Sequence, residues 1–249
     1  MDNAKETIDR LIQIGGELEK PETIHICGRT YCTKSLNRID SPVYAEPLRG
    51  QTLSGLLDYA EHVLPIEGGE RCYFLKIESH RSVSIVGVLD KDARREVLYR
   101  AEAITSEFRY DSWYTQEQFV IALQANFMDT HDLDAVKTVS GNVKAETVAT
   151  YGDDGVTQKA TINVGVATAE NIIVPNPVLL RPYRTFLEVE QPCSPFVFRL
   201  QANGAKNDRP EFKLVAADGD VWVLEAIQNI RSYLEDETEK RGIDIRIIG

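Results

Sequence analysis

Four groups of residues in this chain of 249 have types and spacings that could do chemistry. The first is Asp153-Asp154, two adjacent carboxylates set between Gly152 and Gly155 in "TYGDDGVTQKATINVGV". Paired carboxylates can hold a divalent cation or share a proton when a third ligand or an apolar pocket fixes them. Here strand-forming residues follow them. Val156, Gln158, Ala160, Ile162, Val164 and Val166 fall on one strand face; Thr157, Lys159, Thr161 and Asn163 fall on the other. Glycine and aspartate tolerate positive φ and bond their own backbone, as a hairpin tip requires, and a tip points into solvent. The pair is therefore read as a turn, with residues 144–151 as the partner strand.

The second group is His25, Cys27 and Cys32 in "HICGRTYC". A structural zinc site needs four ligands at short paired spacings, and no second cluster follows. Alternation on either side of Gly28-Arg29 suits a small hairpin instead, in which the thiols pack as small core groups. Cys72 and Cys193 are as scattered, so all four cysteines are expected to be free, with no metal and no cofactor.

The third group is Glu190 with Glu211-Phe212-Lys213. An acid on one strand and Glu-x-Lys on the next is the pattern of a metal-dependent nuclease: Glu211 would bind Mg²⁺ and Lys213 would position the attacking water. The first acid is normally aspartate, and if Phe212 and Leu214 face a core, Glu211 and Lys213 face solvent. The nuclease is kept as the alternative. The fourth group is Phe196 and Phe198, with Arg181, Arg184 and Arg199 as cations, which could stack and hold single-stranded DNA. The same spacing is what a sheet core demands, and core packing is the preferred reading. His25, His62, His80 and His131 have no local context that marks a base, and there is no nucleophile elbow, Walker A loop or dinucleotide fingerprint.

The elements that must position these groups follow from periodicity. Residues 3–19 predict a short helix interrupted at Gly15-Gly16, and residues 52–64 one with Leu53, Leu56, Leu57, Ala60, Val63 and Leu64 on its apolar face and Pro65 as a stop. Residues 71–104 predict a three-strand antiparallel meander. Thr115 and Gln118 form a capping-box pattern with Tyr114 and Phe119 as a staple, and a further helix over 130–140 ends at Gly141. "NIIVPNPVLLRPYRTF" predicts an extended surface crossing because of Pro175, Pro177 and Pro182. Strands are expected in "FLEVEQ", "PFVFRLQA" and "EFKLVAA", then an amphipathic helix from Asp218 or Asp220 to the acidic run Glu235–Glu237, then a short strand in "IDIRIIG". The class is α+β: mostly antiparallel sheet with flanking helices, a long hairpin around 144–167 and a C-terminal amphipathic helix. Residues 1–110 and 111–249 are expected as two regions of one compact unit.

Composition narrows the function. With 28 basic and 39 acidic residues the net charge is −11, which opposes gripping a polyphosphate. The acidic, polar start "MDNAKETIDR" does not resemble a signal peptide, and no apolar run is long enough to span a bilayer, so a cytoplasmic protein without membrane contacts is expected.

The runs "SGNVKAETVATYGDDGVTQKATINVGVA", "VPNPVLLRPYRTFLEVEQPCSPFVFRL", "EAIQNIRSYL" and "WYTQEQFVIALQANF" resemble a family of uncharacterised tailed-phage and prophage proteins, YfdQ-like, over roughly the last 140 residues. The motifs are structural, with no catalytic residues to carry over. The resemblance implies an early, intracellular role in a bacterial host cell, near phage recombination and single-strand DNA handling. The expectation is a phage or prophage protein without a catalytic site that acts by homo-oligomerisation and binding. A ring or closed shell would serve phage DNA metabolism or counter-defence, with phage or host proteins as further partners. The alternative is a nuclease or single-stranded DNA-binding protein of a recombination module.

Overall fold

The protein is described from a computed structural model, over residues 2–19, 21–26, 29–34, 44–64, 72–90, 93–105, 107–142, 158–164, 168–201 and 210–249. Two units separate at Tyr44, Met1–Tyr44 and Ala45–Gly249. Residue 110, the boundary expected from sequence, lies inside the second. There Phe108 and Tyr110, at the end of the first expected region, pack with Tyr114, Phe119, Phe127 and Phe196 of the second.

In the first unit, helix α1 (Asp2–Glu19) runs straight through Gly15-Gly16, a correction to the short helix expected. Each glycine costs about 1 kcal/mol relative to alanine but keeps its N–H and carbonyl in the helical ladder. Strands β1 (Thr23–Ile26) and β2 (Arg29–Cys32) form the expected hairpin, with Ile26 opposite Arg29. Glu22 and Thr33 close its open end through two hydrogen bonds of 3.0 Å. Cys32 is exposed, which corrects the expectation of a core thiol; Cys27 lies outside the described residues.

The second unit holds two cores. One lies under a five-stranded sheet built from β3 (Leu48–Gly50), β4 (Tyr73–Ser79), β5 (Ser82–Gly87), β6 (Val97–Glu102) and β13 (Arg246–Ile248). Its order is β13-β4-β5-β6-β3. The meander β4-β5-β6 is antiparallel as predicted, while both outer strands add in parallel, β13 on β4 and β3 on β6. Helix α2 (Leu53–His62) buries Leu53, Leu56, Leu57 and Ala60 on this sheet, as read from sequence, but it ends at His62: Leu64 is buried beyond it, while Val63, expected on the apolar face, is exposed. Helix α5 (Trp222–Arg241) joins it there through Ile230 and Leu234. That helix continues past Glu235–Glu237, where it was expected to end. Glu237 pairs with Lys240 and Arg241 on the next turn, and Gly242 then stops the helix with φ +66°, a conformation that suits glycine.

The other core lies on a four-stranded antiparallel sheet. Its order is β10 (Val178–Leu180), β11 (Ser194–Gln201), β12 (Glu211–Ala216) and β7 (Tyr114–Thr115). Helices α3 (Gln116–Asn126) and α4 (His131–Asn142) cover it with Phe119, Leu123, Leu133, Val136 and Val139. Thr115 is the N-cap of α3, but its side chain makes no capping bond; the Tyr114–Phe119 contact does form, with centroids 5.9 Å apart. The start of α3 is tied instead by Gln116, which donates to the carbonyls of Ser140 and Gly141. Gly141 is thus inside α4 rather than its stop.

Strand β8 (Gln158–Val164) pairs with β9 (Thr168–Val174), Val164 opposite Thr168. Among the described residues the partner of β8 is thus a strand after residue 164. Residues 144–151 and the Asp153-Asp154 tip lie outside the described residues. The proline-rich crossing is corrected too, because Val178, Leu180, Pro182 and Phe186 are buried. Nor is "FLEVEQ" a strand. Gln191 binds the carbonyls of Phe186 and Val189 and accepts from the N–H groups of Arg184 and Thr185, which satisfies that backbone locally. No helix among the described residues is long and apolar enough to cross a membrane.

Candidate functional site

Of the four groups read from sequence, Asp153-Asp154 and Cys27 lie outside the described residues, and the third and fourth do not assemble. Glu190 pairs with Arg181, Glu211 accepts from Gln201 at 2.9 Å, and Lys213 pairs with Asp111 at 2.6 Å. Glu211 and Lys213 share one face of β12 while Phe212 and Leu214 turn inward. Each is engaged with a different neighbour. Phe196 and Phe198 are fully buried in the aromatic core and present no face to a base. His25 meets the Thr30 hydroxyl at 2.9 Å. Among the described residues, no group of three or more His, Cys, Asp or Glu is placed to hold a metal ion.

A different constellation forms where loops from both sheets meet. The β4–β5 turn supplies His80 and Arg81, the chain after β6 supplies Thr105 and Tyr110, the crossover supplies Arg184, and the start of α5 supplies Asp220 and Trp222. Together with Ala216 they line a cleft of about 260 Å³. A two-residue turn between antiparallel strands projects its side chains beyond the sheet, which is why His80 and Arg81 reach it.

Arg184 is the anchor. Its side chain is only 9% exposed, yet no carboxylate hydrogen-bonds it. Its guanidinium lies over the rings of Trp222, Phe196 and Tyr110, 4.5, 5.0 and 5.1 Å from their centroids. Nε donates to the Tyr110 hydroxyl at 3.4 Å and Nη1 to Ser194 Oγ at 3.3 Å. Asp218 Oδ2 stands 3.9 Å from Nη1 and has no hydrogen-bond partner of its own. Aromatic faces and one nearby carboxylate thus offset the desolvation of the charge. Nη2 makes no hydrogen bond to any described residue.

The neighbours are mostly donors. Burial first, then the fields of Arg81 and Arg184, hold the His80 imidazole below its ordinary range, with Asp220 opposing; the ring packs edge-on against Trp222 at 4.8 Å. Burial pushes the Tyr110 phenol up against the opposing pull of Arg184, so it keeps its proton at neutral pH. The Arg81 side chain has one long hydrogen bond, 3.5 Å to Thr105 Oγ1. The acceptor at the rim, Asp220, takes the Trp222 indole N–H at 3.3 Å.

Sequence reasoning named Arg184 for a nucleic-acid surface and did not bring the other cleft residues to it. The available signal was an arginine between aromatics in "RPYRTF", and a His-Arg pair set at a strand turn. No family model, curated protein or solved structure matches the chain.

Proposed function

We infer that the protein works by non-covalent binding and that its first partner is a second copy of itself. The observation that carries this reading is in Met1–Tyr44: every described side chain from residue 4 to residue 34 is exposed. Ile8, Leu11 and Ile12 make one stripe along α1, and Ile12 is 68% exposed. Ile24, Ile26 and Tyr31 lie open on the hairpin in the same way. A two-stranded hairpin is marginal by itself, and helices in proteins draw most of their stability from packing an apolar face. An apolar surface on an ordered element supports a role as an interface. A stripe at i, i+3 and i+4 is complementary to itself, which favours a second copy as the occupant.

The net charge of −11 opposes non-specific clumping and nucleic-acid binding alike, so association is concentrated in the local stripe. Contacts that repeat around a closing rotation give a ring or shell. In a phage-carrying bacterial cell, the setting that the resemblance implies, such an assembly suits an accessory to phage DNA metabolism or a binder that blunts host defence. Light scattering tests the reading. A multiple of 28.0 kDa is expected for the full chain, falling to 28.0 kDa in Ile8→Glu and Ile12→Glu. A monomeric parent chain would overturn it.

A further inference from the structure

We propose that the cleft around Arg184 binds the phosphate group of a small phosphomonoester. The inference is independent of self-association and rests on an imbalance of donors. Arg184, Arg81, His80 and Tyr110 line one concavity, and among the described residues no carboxylate hydrogen-bonds their side chains, Asp218 standing 3.9 Å from Arg184 Nη1. The Arg184 guanidinium is held nearly buried, and Nη2 makes no hydrogen bond to a described residue, which leaves it open to an acceptor. A phosphate supplies several strong acceptor oxygens, and guanidinium groups match it in a fork geometry. Tyr110, kept protonated, donates from the wall, and a neutral imidazole still offers one N–H.

The size argues for a small ester. At about 260 Å³ the cleft lies just below the ~300–1,000 Å³ typical of small-molecule pockets. Asp220 at the rim and the acidic chain oppose a polyanion such as a nucleic acid, whose binding needs an excess of basic residues.

Titration calorimetry of the full chain with inorganic phosphate, a nucleoside monophosphate and a single-stranded oligonucleotide tests the proposal. The monophosphate is expected to bind more tightly than inorganic phosphate, because the cleft extends past the phosphate group. Ligand entry should also change the fluorescence of Trp222 in a Trp113→Phe background. Arg81→Gln, which leaves the core untouched, should weaken the monophosphate about tenfold, and Tyr110→Phe by a few-fold. No heat up to about 10 mM monophosphate, or equal affinity in Arg81→Gln, would overturn the site. Equal affinity for inorganic phosphate would overturn the ester, and binding of the oligonucleotide alone would overturn the small ligand.

Discussion

The two cores of residues 45–249 answer one problem with different side chains. The core under the five-stranded sheet is mainly aliphatic: Leu53, Leu56, Leu57, Leu75, Ile77, Val83, Ile85, Ile230 and Leu234. The core on the four-stranded sheet is aromatic, with Phe108, Phe119, Phe127, Phe196, Phe198 and Phe212 in ring contact. Aliphatic side chains pack by volume along a helix stripe and a strand face, so neighbours in sequence do much of the work. Rings add preferred geometries, and Phe119 alone meets Phe108, Tyr114, Phe198 and Phe212 from three different stretches of chain.

The crossover joins the cores. Val178 and Leu180 belong to the aromatic one, Phe186 and Val189 to the aliphatic one. Between them the Thr185 hydroxyl donates to the His80 carbonyl at 2.6 Å, and Arg184 spans Tyr110, Phe196 and Trp222. A segment that composition marks as a surface strap is the seam of the fold. It also carries the anchor of the cleft, so the binding geometry depends on both cores being in register.

The largest test of this comparison is Phe119→Ala. Loss of a fully buried ring should cost about 3–5 kcal/mol, against about 2–5 kcal/mol for Leu56→Ala. In a body of this size, the loss of Phe119 lowers the melting temperature by roughly 6–20 °C. Because the seam couples the cores, calorimetry of either variant should show one unfolding transition for residues 45–249. Two separate transitions would mean that the cores unfold independently. A smaller effect is expected from Glu188→Ala. The Glu188 carboxylate accepts from the N–H groups of Leu53 and Ser54, 2.8 Å each, and so caps α2 from the crossover. Its loss should cost about 1–2 kcal/mol in denaturant unfolding, and an unchanged midpoint would remove it from the seam.

The smallest effect is a pH dependence. The folded chain holds His80 below its ordinary value of 6.5, so the unfolded chain takes up that proton first as pH falls. Its contribution to stability is complete above about pH 6.5 and is lost below it, through the window that ends where the folded imidazole titrates. His80→Gln should flatten that part of the fall in a series of melts; identical slopes in the two chains would show that His80 is not held in this way.

Much of this fold is legible from local pattern. The α2 stripe, the meander, the α5 stripe and the β1–β2 hairpin follow from the spacing of apolar residues and from turn chemistry. The errors share one cause, which is that long-range partners override local signals. Thr115 has the right type for a capping box, yet Gln116 reaches across to α4 instead. "FLEVEQ" alternates like a strand, but Gln191 folds its backbone into a turn. Glu235–Glu237 has the composition of a solvated end, and cations one turn later keep it helical. Three prolines suggest an exposed strap, while Val178, Leu180 and Phe186 find cores to enter.

The candidate cleft was less legible still. Its residues run from His80 to Trp222, and no spacing rule relates a strand turn, a loop, a crossover and a helix start. Periodicity determined which faces are apolar, because a side chain's direction repeats every two residues in a strand and every 3.6 in a helix. Tertiary structure alone decided which loops meet, because that depends on how two sheets with separate cores are held together, and one buried arginine among three rings does part of the holding.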